Sequence, residues 1–532
     1  MVAEELTRIQ DALKDEATPP YWMAVEVVDI EQVEIQTAHG AAAPVTRSRR
    51  RTADIDVRVG SPQLDNTHQI RDGGWFDRQH RRVVNLPLED GAPEVVRRLL
   101  WAEIDETYRS ATRQLIKVRN NAAIKVESTD TSADFSPAEP IQDIRDLTDL
   151  PLDEAQWLET LRAVSAALVS HPDVHDTNAR ITAQRVVRRY VNTEGTQIRF
   201  PETRYRVFVW AGTTAEDGME LSLSDYVDAR SEAALPDKAA LLAAADVVAN
   251  RLSELKSAPM VDPYVGPAIL RGRAAAVFFH EVLGHRVEGH RQKDDEEGQT
   301  FTEKVGERVL PRFLSVIDDP TLSQVNGTDL SGAYPYDNQG VPAQRVSVVD
   351  AGIMRGFLMS RSPVEGFASS NGHGRRQVGK AVVARQGNLI VQASKSVSEQ
   401  ALEARLRSEI RRQGKPYGYI FDDITGGFTF TGRVTPNAFK VKPVTVWRVF
   451  ADGRPNQLVR GVDLIGTPLT TFQRILAASD QSRVFNGSCG AESGWVPVSA
   501  VAPDLLIGEI EIQRTEKGHD RPPILPAPGA AP

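Results

Sequence analysis

Between Glu4 and Lys14, Leu6, Ile9 and Leu13 recur at helical intervals before Pro19 and Pro20 block continuation, which predicts a short amphipathic helix. From Met23 to Thr37, and again from Asp54 to Val59, the pattern changes to alternation through Val25, Val27, Ile30, Ile55, Val57 and Val59. That alternation predicts a half-buried antiparallel hairpin, with the basic cluster Arg47, Arg49, Arg50 and Arg51 in a solvated turn between its strands. Helical spacing returns from Pro93 to Lys125, carrying Leu99, Trp101, Ile104 and Leu115, and from Leu152 to Ser170. A strand run from Asp176 to Ala211 precedes an alanine-rich helix from Pro236 to Ser257.

At Ser257-Ala-Pro-Met-Val-Asp-Pro263 turn residues interrupt the pattern; an apolar strand, Val265 to Leu270, follows, and then a helix starting near Gly272. Beyond Leu310 short β segments dominate: Phe313 to Asp318, Val346 to Val349, Phe428 to Thr431 and Val444 to Phe450, with one helix from Val397 to Gln413. The expected fold class is α+β. Residues 1–257 form an N-terminal α+β domain, 258–518 a domain with a central helix and a β-rich C-terminal part, and 519–532 a loose tail rich in proline and alanine.

Composition keeps this picture and removes some function classes. With 41% hydrophobic and 25% charged residues among 532, the chain reads as an ordinary globular protein. A net charge of -9 with no long cationic face excludes nucleic acid as the expected partner. No run approaches eighteen consecutive apolar residues, so no membrane span is expected, and Met1-Val-Ala-Glu-Glu-Leu6 lacks the blocks of a signal peptide. A single cysteine rules out an intrachain disulfide and fits a reducing, cytoplasmic setting.

Chemistry concentrates in the helix after Gly272, where the apolar run Ala274 to Phe279 abruptly presents His280, Glu281 and His285. Zinc peptidases commonly set two histidines four residues apart, which leaves both imidazoles on one helix face. Here the spacing is five, an offset of about 140° around an ideal helix. One ion can be shared only if the helix holds a π-type turn or becomes irregular between the two histidines, and Gly284 is placed to permit it. Spacing alone suits a metal-binding pair and a hydrogen-bonded core pair equally.

The string His280-Glu-Val-Leu-Gly-His-Arg-Val-Glu-Gly289 resembles the His-Glu-x-x-x-His signature of TldD/PmbA proteins, peptidases also called modulators of DNA gyrase. Thr300 to Gly306, Val316 to Asp319, Asp337 to Gln344, Gly352 to Leu358, Asn371 to Arg376, Val459 to Gly466 and Asn486 to Gly490 are similar to further blocks of that family, in the same order. The likeness is strong over Pro263 to Gln513 and loose before it.

The resemblance implies a third metal ligand in a Cys-Gly segment near the C-terminus, which here is Cys489, expected in a turn between Gly487 and Gly490. A thiolate and two imidazoles fill three tetrahedral positions on Zn²⁺ and leave the fourth for water, as a catalytic site requires. Glu281 would then be the general base that takes a proton from that water and passes it to the leaving amine. Glu288 is a candidate to orient a ligand imidazole. His290 stands where the family often has Asp and receives no role, while His373, Arg375 and Arg376 either meet substrate or form a polar loop.

The resemblance further implies a zinc-dependent peptidase acting on unfolded or flexible peptides, including removal of leader segments, with the substrate held as an added β-strand. It implies a homodimer, or a heterodimer with a related metal-less subunit. The rival reading is a peptide-binding partner subunit with a structural metal, against which Glu281 argues because a structural site needs no general base.

Overall fold

The computed structural model describes residues 1–70, 83–89, 91–124, 130–293, 297, 299–429, 431–432, 439–466 and 468–521. Lys125, position 430 of the segment expected as strand over Phe428 to Thr431, and tail positions 522–532 lie outside the described residues.

The first half builds an eight-stranded sheet. Its strands include β1 (Pro20–Ala38), β2 (Thr46–Val59), β3 (Val83–Leu86), β4 (Gln142–Ile144), β5 (Asp176–Asn192), β6 (Gln197–Thr214) and β7 (Glu220–Ala229). The order is β3-β2-β1-β5-β6, with β4 and β7 pairing successive parts of β6. β6 alternates buried and half-buried positions along most of its length, so one face is committed to a core. α3 (Glu154–Val169) and α4 (Lys238–Ser257) cover that face, where Leu161, Val164, Leu241 and Leu252 meet Ile181, Val207 and Val209. α1 (Val2–Leu13) and α2 (Pro93–Ile124) pack elsewhere on the sheet through Leu6, Ile9, Leu100 and Ile104.

Two expectations for this half change. The β1–β2 hairpin forms, but β2 starts at Thr46, so the arginine cluster lies in a strand and not in a turn. Arg49 and Arg51 both donate to Asp29 across the strand pair, and Arg47 is paired with Glu154, so carboxylates opposite the cluster draw it into the sheet. The run Asp176 to Ala211 divides at the turn around Gly195 into β5 and β6, and β7 extends the sheet beyond it.

The second half builds an eleven-stranded sheet from β8 (Tyr264–Leu270), β9 (Leu314–Asp318), β10 (Val346–Asp350), β11 (Ile353–Met354), β12 (Asn388–Ala393), β13 (Tyr417–Thr429), β14 (Phe439–Phe450), β15 (Gln457–Val459), β16 (Val462–Gly466), β17 (Ile475–Ala491) and β18 (Gly494–Arg514). Its main path is β11-β10-β9-β12-β18-β16-β14-β13-β8, with β17 on β18 and β15 on β14. β13, β14, β17 and β18 are far longer than the short segments expected. β18 is buried on both faces through its middle and contains Pro497 and Pro503, so it shows neither alternation nor an unbroken strand composition.

α5 (Arg273–Val282) threads the core of this half, and α6 (Glu399–Arg412) packs on the outside against Ile269, Ile420 and Leu506. Phe278 and Phe279 of α5 are fully buried, each contributing on the order of 2–3 kcal/mol. A helix apolar on every side belongs inside a core, and this one carries polar residues only at its two ends, Arg273 at the first and His280 and Glu281 at the second. The fold is thus mixed, with a sheet-rich C-terminal part. Among the described residues no helix is long and apolar enough to cross a membrane.

Candidate metal centre

α5 is preceded by Gly272, whose φ of 48° favours glycine and whose N–H donates to Asp504 Oδ1 at 2.7 Å. The helix runs regularly to Val282, and Leu283 N–H still reaches the Phe279 carbonyl at 3.0 Å. Gly284–Val287 then form a 3₁₀ turn, with Arg286 N–H on the Leu283 carbonyl at 2.9 Å. The expected irregularity is therefore a helix end followed by a tighter turn, and not a π turn. With the α-helix ended, the His280 and His285 rings approach to a centroid distance of 5.0 Å.

Gly284 serves this site by its lack of a side chain. A Cβ there would lie 1.9 Å from Gln386 Oε1, because the buried Gln386 amide occupies that space and donates to the His280 carbonyl at 3.3 Å. Overpacking there outweighs the gain in backbone propensity. Gly284→Ala is expected to destabilise the fold by about 1–2 kcal/mol, read as a lower midpoint in chemical denaturation. An unchanged midpoint would show that Gln386 moves aside freely.

Cys489 lies in β17, paired with Val496 of β18, rather than in the expected turn. Its Sγ is 3.2 Å from Nε2 of His280 and 3.2 Å from Nε2 of His285, and the three donor atoms lie within 4.8 Å of one another. All three residues are buried. A tetrahedral Zn²⁺ with bonds of about 2.0 Å to nitrogen and 2.3 Å to sulfur sets such donors about 3.5 Å apart. The donor set fits that ion.

Glu281 is also buried, with Oε2 3.9 Å from Nε2 of His285. Burial pushes its carboxyl up from the usual range, the neighbouring imidazoles oppose the shift, and Cys489 adds to it. Burial pushes the Cys489 thiol up as well, but His285, His280 and Arg385 outweigh it and hold the group well below its ordinary value.

Glu288 sits 3.3 Å from Nδ1 of His285 and holds that ring from behind. Its burial would raise its pKa, yet His285, Arg291 and Arg385 bring it down to about 2. Glu288, His290 and Glu492 form a second cluster with metal-ligand chemistry. Arg291 already occupies it, donating Nε to Glu288 at 2.9 Å, Nη2 to Glu492 at 2.9 Å and Nη1 to Glu297 at 2.6 Å. His290 pairs with Glu492 on its other side.

A cavity of 1560 Å³ opens over the three donors and Glu281. Its lining includes β17 from Phe485 to Ala491 and Arg206, Phe208, Ser224 and Tyr226 of the N-terminal sheet. Tyr226 closes part of the gap, its hydroxyl donating to the Asn486 carbonyl at 2.8 Å. His373, Arg375 and Arg376 do not line this cavity. His373 is buried against Asp318 and Asn371, Arg375 stacks on Tyr334, and Arg376 reaches Glu26 at 3.0 Å and Asp54 at 2.7 Å in the first sheet.

Arg291, Arg385, Gln386, Glu492 and the Arg206–Tyr226 pair escaped sequence reasoning. Only Glu492, three residues beyond Cys489, stood close enough to an expected ligand to be sought.

Residues 264–514 match the family model described as the PmbA/TldA metallopeptidase C-terminal domain. Over that segment, just under half of the chain, the sequence matches the TldD/PmbA family. A metalloprotease TldD homolog of Haemophilus influenzae is 28% identical over 284 residues, covering 52% of this chain and 54% of that protein. A zinc metalloprotease TldD homolog of Saccharolobus solfataricus is 21% identical over 262 residues, 49% of this chain and 54% of that one. The chain thus spans about half the length of these relatives. Its fold is similar to that of a modulator of DNA gyrase from Thermotoga maritima, 14% identical with a TM-score of 0.63, over 96% of this chain and 100% of the other. TldE from Thermococcus kodakarensis is similar too, at 12% identity and a TM-score of 0.62, over 96% and 100%.

Proposed function

We propose that this chain is a zinc-dependent peptidase that hydrolyses peptide bonds in unfolded or flexible peptides, leader-peptide removal and peptide maturation included. The carrying observation is the convergence of His280, His285 and Cys489 beside Glu281, at the floor of a cleft between two sheets. His280, His285 and Cys489 would hold the ion, which when bound supplies Lewis-acid polarisation of the scissile carbonyl and of water. Glu281 accepts the proton of the attacking water and returns it to the leaving nitrogen, and burial suits its carboxylate to both transfers.

The edge of β17 suits a peptide added as a strand. Ser488 is opposite Pro497, which has no N–H, while the flanking Trp495 and Ser499 N–H groups turn away to Gln377 and Gly387. By strand alternation, the main-chain groups of Ser488 and Gly490 point away from β18, on the side that lines the cleft. The division at 257/258 puts one wall of the cleft in each domain. A cytoplasmic setting and a dimer, either of like chains or with a metal-less relative, complete the reading; the TldE-like fold supports the second arrangement.

The test is cleavage of a mixture of unstructured peptides, followed by mass spectrometry, before and after chelation. Cleavage is expected to disappear with the metal and to return with about one equivalent of zinc per chain. Full zinc occupancy without cleavage would favour a peptide-binding subunit with a structural metal.

A further inference from the structure

The three donors come from two places some two hundred residues apart in the chain, so something must register β17 against the end of α5 to within a fraction of an ångström. Arg385 is fully buried beside both. Its Nη2 donates to the Cys489 carbonyl at 2.8 Å, and its Nη1 donates to Ser493 Oγ at 2.8 Å and the Gly494 carbonyl at 3.0 Å, which closes the β17–β18 hairpin. Its Nε lies 3.3 Å from Glu288 Oε1, and the other oxygen of Glu288 meets Nδ1 of His285. Gln386 donates to the His280 carbonyl and fills the space over Gly284. His280 depends on that clamp, since its Nδ1 has no hydrogen-bond partner among the described residues.

We propose that Arg385 and Gln386 are positioning residues that together hold all three donors of the metal centre, a role that rests on the zinc-site reading above. Arg385 fixes Cys489 directly and His285 through Glu288, and Gln386 fixes His280. The pair is itself anchored. Arg385 N–H donates to the His373 carbonyl at 2.9 Å, Arg375 Nη1 donates to the Gln386 carbonyl at 2.6 Å, and Gly387 N–H donates to Asp318 at 3.1 Å. The Asn371 to Arg376 block therefore serves the centre at one remove and needs no substrate contact. A guanidinium suits this task because its planar fork serves several acceptors in fixed directions, which an ammonium cannot do.

The test uses full-length Arg385→Lys and Gln386→Met, which respectively keep the charge and the volume. Zinc dissociation constants come from competition with a chromophoric chelator, and cobalt substitution reports thiolate ligation through its charge-transfer band. Each variant is expected to bind zinc about 10- to 100-fold more weakly, with an altered cobalt spectrum. Parent-like zinc affinity and cobalt spectra in the folded variants would overturn the proposal, as would a loss of thermal stability with unchanged zinc affinity. Should Arg385→Lys not fold, Gln386→Met decides alone. A parent protein that takes up zinc yet cleaves no peptide counts against the peptidase reading only.

Discussion

Zinc-loaded Glu281→Gln protein is expected to hydrolyse peptides about 10²- to 10⁴-fold more slowly than the parent, the usual contribution of a positioned general base. The substitution keeps shape and removes only the ability to take a proton. Glu281 stands one residue from His280 on α5, and its carboxylate is 3.9 Å from His285 rather than in the ligand set. Zinc content should therefore stay at the parent level. The measurement is metal analysis of the purified variant beside its steady-state cleavage rate. Full activity in a zinc-replete variant would remove Glu281 from the reaction.

Cys489→Ala is expected to lose the metal itself. Zinc binding by four-ligand sites amounts to about 10–16 kcal/mol, so one thiolate accounts for roughly 3 kcal/mol, or at least about 10²-fold in dissociation constant. The main-chain bond from Arg385 to residue 489 survives the substitution, so the hairpin should remain in place and the loss should reflect the missing sulfur. Competition with a chelator of known affinity reads the change directly. Unaltered zinc affinity would mean that the ion sits elsewhere.

Much of the molecule was legible along the chain because periodicity survives wherever one face is wet. The helices at Glu154–Val169, Lys238–Ser257 and Glu399–Arg412 fall within a few residues of their sequence-expected limits. β18 did not show itself because it is covered on both faces, and the arginines of β2 misled because their carboxylate partners, Asp29 on the neighbouring strand and Glu154 on α3, are distant in sequence. His280, Glu281 and His285 announced themselves by breaking an apolar run, whereas Cys489 needed a family likeness to be paired with them. Arg291, Arg385 and Gln386 carry no local signal: an arginine destined for full burial reads like one on the surface until its partners are placed around it.

The contacts between the two sheets bear on how far the half that matches the family model can be moved about. Arg361 and Arg376, both deep in the second half, find their carboxylate partners at Glu194, Glu26 and Asp54 of the first. Joining the second half to a first half that lacks these carboxylates would leave both guanidinium groups buried with no counter-ion. The segment 264–514 is recognisable by itself, yet it is not a transplantable cassette. Any exchange between relatives would have to carry both members of each cation–carboxylate pair across together, so the junctions open to recombination are set by charge as much as by domain outline.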